Sequence, residues 1–334
     1  VTSAPLVVVT NWVHPDVLDR LRQRCAVLAN TTREPWPEDV LRRHVATADA
    51  LVAFMPDRID AAFLAAAPRL RLIACALKGY DNFDLAACTQ RGVLVTIVED
   101  LLTEPTAELT IGLMIALGRN VLAGDRGIRA EGFSGWRPRL YGTGLAGSTV
   151  GIIGMGAIGQ AVARHLQSFR CTVLYHDEQA LSSEQETNLG VARADLDQEL
   201  LPRSHYVVLA LPLTPATHHL LNAARLARMK QGALLVNPAR GSLVDEAAVA
   251  AALASGRLGF YAADTFECED WARTDRPASI DPKLLVSDRT LCTPHLGSAV
   301  DAVRRRIAHA AADSVLAMIE GRRPPGCLNW QPPA

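Results

Sequence analysis

An apolar run, a glycine-rich turn and an Ala-rich stretch follow one another without a gap: Thr149 to Ile153, then Gly154-Met155-Gly156-Ala157-Ile158-Gly159, then residues through Gln167. This reads as strand, turn and helix, and each glycine has a physical task in it. The first permits the tight turn, the second lets a pyrophosphate approach the backbone, and the third lets helix and strand pack closely. Unpaired N–H groups and a partial positive charge at the helix start favour the anion. At the end of the next apolar run, Asp177 offers a carboxylate to an adenosine ribose, and Glu178 adds a second negative charge. No Arg follows immediately, so the two acids would repel a 2′-phosphate and NAD is expected over NADP.

The rest of the chain alternates in the same manner. Short β-branched runs at Leu6 to Val9, Val27 to Leu28, Ala50 to Phe54, Leu70 to Ala76 and Val93 to Ile97 are separated by Ala- and Leu-rich segments. A second series runs through Thr149 to Ile153, Thr172 to Tyr175, Tyr206 to Leu211, Ala233 to Val236 and Gly259 to Ala263. The expectation is α/β, with two doubly wound parallel-sheet domains and an active-site cleft between them. Pro105 opens a helical stretch through Arg119, with Thr103 as its N-cap. Val300, Val303, Ile307, Ala311, Val315 and Ile319 mark a late amphipathic helix ending near Gly321 and Pro324. That helix can pack back on the first unit, which makes residues 1–100 and 297–334 one discontinuous domain and 101–296 an inserted one. The irregular stretch near 120–147, with Gly132 to Gly147 its least regular part, is expected to be a dimer arm or a lid.

A chain of 334 residues with 49% hydrophobic content can fill a core in each domain. A net charge of -1 gives no electrostatic support for nucleic-acid or membrane-surface binding. Val1 to Thr10 lacks a signal-like pattern and no apolar stretch reaches bilayer length, so a cytoplasmic protein is expected. The seven cysteines are scattered, odd in number and without CxxC spacing, which argues for packing rather than for a metal cluster or disulfides. No metal is expected.

Chemistry gathers late in the sequence. Arg240, within Asn237-Pro238-Ala239-Arg240-Gly241, follows a strand end and offers a planar fork for an oxyanion. Asp264 and Glu269 follow another strand, and His295, within Thr293-Pro294-His295-Leu296-Gly297, lies beyond a further one. A carboxylate beside the imidazole would orient it and favour its protonated form, which suits an acid or base. An Arg, a Glu and a His beside a dinucleotide turn suggest hydride transfer.

These motifs, Gly154 to Gly159 with Asp177, Asn237 to Val244, Asp264 to Glu269 and Thr293 to Ser298, resemble the D-isomer-specific 2-hydroxyacid dehydrogenase family over nearly the whole chain. The resemblance implies that the discontinuous domain binds substrate, that the inserted domain binds NAD, and that the protein is a homodimer. It implies that Arg240 binds the substrate anion, His295 is the acid or base, Glu269 supports His295 and Asp264 lies near the nicotinamide carboxamide. Thr106, Met155, Ala157, Ile158, Pro212 and Gly297 join the glycines and Asp177 as cofactor-binding residues.

Several stretches depart from the common family pattern and resemble its phosphite-oxidising branch: Phe54 to Arg58, Ala76 to Asp84 with Lys78, Gly135 to Pro138, Tyr141-Gly142, and Asp270-Trp271-Ala272-Arg273 after Glu269. The resemblance places Met55, Lys78, Gly79, Trp136, Tyr141, Arg240 and Ser298 around the substrate. Phosphite is a small, largely dianionic oxyanion, and Lys78 with Arg240 would supply two positive charges. NAD-dependent oxidation of phosphite to phosphate is therefore the expected activity, with His295 as the base and Arg240 as a weaker candidate for it. The alternatives are a D-2-hydroxyacid dehydrogenase or 2-ketoacid reductase, and an NAD-sensing dimeric protein of corepressor type.

Overall fold

The computed structural model describes residues 4–331, so the reading of Val1 to Thr10 falls partly outside the described residues. The chain divides into two compact units: the described residues of Val1–Leu102, Trp271–Thr274 and Ala299–Ala334, and those of Thr103–Asp270 and Asp275–Ser298.

The first unit holds a five-stranded sheet of β1 (Leu6–Val9), β2 (Ala26–Ala29), β3 (Ala50–Ala53), β4 (Leu72–Cys75) and β5 (Leu94–Thr96), in the order β2-β1-β3-β4-β5. All neighbours are parallel. Val7 and Val9 enter one core while Val8 enters the other. That two-residue alternation with both faces apolar is what a parallel sheet covered by helices requires. The late helix is Asp301–Ile319, and its Ile307, Ala311 and Val315 are fully buried against this sheet's core.

The second unit holds seven parallel strands: β6 (Thr149–Ile153), β7 (Thr172–His176), β8 (Val191–Arg193), β9 (Tyr206–Leu209), β10 (Ala233–Asn237), β11 (Leu258–Ala263) and β12 (Thr290–Cys292). Their order is β12-β11-β10-β9-β6-β7-β8. The direction of winding reverses between β6 and β9, directly beside the glycine turn, and such a switch point is where doubly wound sheets bind ligands. Val150 and Ile152 face one core and Ile153 the other. β8 eluded sequence reading because it is an edge strand of three residues, of which only Val191 is buried.

The helix near residue 105 begins at Thr103 itself and ends at Gly118, so Thr103 lies inside it and is not its cap. Pro105 sits in the first turn, where an N–H has no helical partner to lose. Residues Val121–Glu131 of the expected arm form a helix with no buried residue, and only the stretch after Gly132 is irregular. Among the described residues, no single helix is long and apolar enough to cross a membrane. No group of three or more His, Cys, Asp or Glu there could hold a metal ion. Cys25, Cys75 and Cys88 are buried and none of the seven cysteines is bridged.

Candidate active site

Strand register gathers the late motifs at one edge. Ala263, the last residue of β11, pairs with Asn237 at the end of β10 and with Cys292 at the end of β12. The segments bearing Arg240, Glu269 and His295 therefore leave the sheet side by side at its carboxyl end. Asn237 shapes the first turn: its amide accepts from Ala239 N at 3.1 Å and donates to the Arg240 carbonyl at 2.8 Å. Arg240 remains half-buried.

Glu269 closes a short turn, Glu267–Glu269. One of its oxygens accepts from Phe266 N at 2.9 Å and the other lies 2.9 Å from His295 Nδ1. His295 holds a left-handed φ of +54° and its amide donates to the Asp264 carbonyl at 2.9 Å. A hydrogen bond at Nδ1 fixes the ring and leaves Nε2 as the nitrogen for proton exchange. Such a dyad can serve as an acid or a base.

Asp264 is fully buried. It accepts from Thr293 Oγ1 at 2.6 Å, Leu296 N at 2.7 Å and Gly297 N at 2.8 Å. Burial pushes its carboxyl up, against the pull of those donors and of His295. Its observed work is thus to fold the loop that presents His295, a role the sequence did not suggest. Gly297 lies against Thr106, since a Cβ there would sit 3.2 Å from Thr106 Oγ1 and 3.5 Å from Asp264 Oδ2.

The glycine turn fits a dinucleotide. Gly154 has φ +95°, and a Cβ there would lie 2.4 Å from the Ala210 carbonyl at the end of β9. A Cβ on Gly159 would lie 2.2 Å from the Gly154 carbonyl, whereas one on Gly156 would meet nothing within 4 Å. The second glycine therefore opens the space that an anion needs at the start of the Ala157–Leu166 helix. Asp177 Oδ2 accepts from Met155 N at 2.6 Å and Oδ1 from Gln179 N at 2.9 Å, which ties this carboxylate to the glycine turn. Arg193 on β8 donates to the Asp177 carbonyl at 2.9 Å. The linear sequence hid this cation, since it lies sixteen positions away in a strand that local patterning does not mark. Pro212 follows β9, and its carbonyl accepts from Thr217 Oγ1 at 2.8 Å.

In the first unit, Met55 follows β3 and Lys78 and Gly79 follow β4, at neighbouring strand ends. Asn82, buried, donates to the Met55 and Asp57 carbonyls at 3.2 and 2.6 Å and so joins the two loops. Lys78 Nζ lies 3.6 Å from Asp100 Oδ1. Its side chain is 38% exposed, so the ammonium keeps access to solvent beside that pair. Sequence reading missed Arg304. Its guanidinium lies over the Phe54 ring, 5.8 Å from the centroid, and donates to the Ala76 carbonyl at 3.4 Å, and burial lowers its pKa. A cavity of about 320 Å³ opens beside it, lined among others by Trp12, His14, Arg33 and Phe54.

Trp136 and Tyr141 are not brought to this dyad within the second unit. Both are more than 70% exposed, on the irregular stretch after the Val121–Glu131 helix. Ser298 is half-buried directly after Gly297.

Comparison with known proteins agrees with this geometry. Residues 111–297 match the model of the D-isomer specific 2-hydroxyacid dehydrogenase, NAD binding domain. A glyoxylate reductase of Thermofilum pendens is 35% identical over 331 residues, which is 98% of this chain and 95% of that protein. A solved structure from Thermus thermophilus superposes with a TM-score of 0.86 at 38% identity, covering 97% of this chain and 99% of the other. D-lactate dehydrogenase from Aquifex aeolicus, solved with NAD and lactic acid, superposes with a TM-score of 0.84 at 25% identity over 98% and 99% of the two chains. The relatives from Thermofilum pendens and Pyrococcus horikoshii both carry the name glyoxylate reductase, so the narrower resemblance to a phosphite-oxidising branch gains no support from them.

Proposed function

Because the chain belongs to the D-isomer-specific 2-hydroxyacid dehydrogenase family, and is thereby an NAD-dependent oxidoreductase, we propose that it acts on a small oxyanion and that phosphite is the substrate it oxidises. The observation that carries the choice of phosphite is the presence of two cations at the strand ends of the first unit. Lys78 stands on the loop after β4, and Arg304 donates to the carbonyl two residues before it. A dianion gains more from such cations than a monoanionic hydroxy acid does.

NAD, when bound, supplies the hydride acceptor. Arg240 holds substrate oxygens and stabilises the charge that grows as water approaches phosphorus. His295, oriented by Glu269, takes a proton from that water at Nε2. With NAD bound, the hydride of the P–H bond would pass to the cofactor as the water oxygen joins phosphorus, and His295 would release the proton it took from that water to solvent.

A second reading is reduction of glyoxylate or a related 2-ketoacid, and the comparisons support it better than they support phosphite. The relatives named glyoxylate reductase cover almost the full chain. On this reading Arg240 holds the carboxylate and His295 gives a proton to the carbonyl oxygen. Two assays separate the readings: NADH formation with phosphite and NAD, and NADH consumption with glyoxylate. Turnover of phosphite with glyoxylate left untouched supports the first; the reverse overturns it. NAD binding without turnover of either would leave the chain a nicotinamide-sensing protein.

A homodimer is part of the same reading. Val121, Ile128, Phe133, Trp136, Leu140 and Tyr141 are each at least 48% exposed within one short stretch. So much grouped apolar surface calls for a partner, and a second copy of this chain is the partner proposed.

A further inference from the structure

The turns that carry Arg240 and Glu269 rest backbone on backbone. A Cβ on Gly241 would lie 1.8 Å from Phe266 C and 2.1 Å from Glu267 N, so only glycine permits this approach. Asp270, just past the Glu269 turn and 2% exposed, accepts from Ser242 N at 2.7 Å. On the other side, Glu246 and Glu267 cross-bond: Glu246 N donates to Glu267 Oε1 at 3.0 Å, and Glu267 N to Glu246 Oε1 at 2.8 Å.

One residue outside both turns touches each of them. His219 donates its amide to the Ser242 carbonyl at 2.7 Å, two residues beyond Arg240. Its ring Nε2 lies 3.0 Å from Glu267 Oε2, two residues before Glu269. It does so at a φ of +48°, in the left-handed region that non-glycine residues adopt infrequently, with its ring stacked on His218 at 3.9 Å. The reaction as read above uses neither His219 nor Glu267. An uncommon backbone conformation joined to a part-buried side-chain contact between two turns of the site points to a device that holds geometry.

We propose that His219 is a positioning residue: its contact with Glu267 sets the separation between Arg240 and the Glu269–His295 dyad. The proposal rests on reading those three as the reactive set. Glu269 meets His295 from a turn of only three residues, so a small tilt of that turn changes the contact directly. Orientation of this kind carries a large part of an enzyme's rate.

The test uses the full-length protein in two variants. His219→Asn tolerates the left-handed backbone but is too short to reach Glu267, whereas His219→Gln restores a donor at longer reach. With whichever oxyanion the wild type turns over, His219→Asn is expected to lower kcat tenfold or more and to leave the Kd for NADH within twofold. His219→Gln is expected to recover kcat to within threefold of wild type. In 15N-imidazole NMR spectra, which need no substrate, the His295 ring signals should move in His219→Asn and return in His219→Gln. A His219→Asn variant with kcat within twofold and unmoved His295 signals overturns the proposal, as does a folded His219→Gln no better than His219→Asn by both measures. Wild-type protein inert toward both oxyanions would instead defeat the assigned function, and the NMR signals would still decide the part played by His219.

Discussion

His295 Nδ1 lies 2.9 Å from Glu269 Oε2, although the two residues arrive from the ends of different strands twenty-six positions apart. Each side chain is about a quarter exposed, so the pair is sheltered yet open to a substrate. Replacing His295 with Ala should lower kcat/KM by about a thousandfold or more, about 4 kcal/mol of transition-state stabilisation. Glu269→Gln keeps the shape and loses the charge, and about a ten- to hundredfold loss is expected. Steady-state NADH kinetics check both, and a His295→Ala rate near wild type would exclude the dyad.

Asp177 is expected to set the choice of coenzyme. Its carboxylate accepts from Met155 N in the glycine turn at 2.6 Å, and Arg193 donates to its carbonyl at 2.9 Å. Asp177→Ala removes a negative charge and leaves that guanidinium in place. The kcat/KM for NADP should rise at least about tenfold relative to that for NAD. An unchanged ratio would show that other residues set the preference.

Asp57 links stability to pH. It is 6% exposed, and burial pushes its carboxyl up to about 6 despite hydrogen bonds from Thr10 Oγ1 at 2.5 Å and Phe54 N at 2.7 Å. The folded state therefore holds this proton more tightly than the unfolded chain. Its stabilising contribution is complete below about pH 4 and is lost as pH rises through about 6, a change of about 3 kcal/mol. Asp57→Asn should remove this descending component from a plot of Tm against pH. A mutant curve parallel to that of the wild type between pH 4 and 7 would refute the linkage.

Gly241→Ala should be among the costliest single substitutions in the second unit. With backbone atoms 1.8 to 2.2 Å from the added Cβ, either the Arg240 turn or the Glu269 turn must move. A loss of about 3 kcal/mol and at least a tenfold fall in kcat are expected. Denaturant titration and steady-state kinetics measure the two effects, and full activity with normal stability would contradict the close approach.

The exposed apolar stretch at residues 121–141 predicts self-association. Sedimentation velocity should find a dimer at micromolar concentration. Ile128→Glu with Phe133→Glu, two positions that are 53% and 75% exposed, should give monomers that remain folded. A wild-type monomer would leave that surface to some other partner.

Much of this architecture was readable from the amino acids. Gly154 to Gly159 worked as a signal because one strand and one helix flank it directly, and local rules suffice there. Arg240, Glu269 and His295 could be named because each follows a strand, and parallel strands deliver their ends to one edge. Other parts depend on contacts between distant residues. Nothing local to Arg193 ties it to Asp177, and nothing local to His219 ties it to Glu267. Asp264 reads as a cofactor contact in the sequence, yet its oxygens bind Thr293, Leu296 and Gly297 across about thirty positions. Arg304 lies in an amphipathic helix, where an arginine ordinarily reads as a solvent-facing residue.

The pairing of Ala263 with both Asn237 and Cys292 also limits how this protein can change. Adding or deleting one residue inside β10, β11 or β12 would flip every later side chain of that strand to the opposite face and shift where its exit segment begins. Insertions and deletions that keep the chemistry should therefore fall in the connecting loops, while the three strands keep their phase.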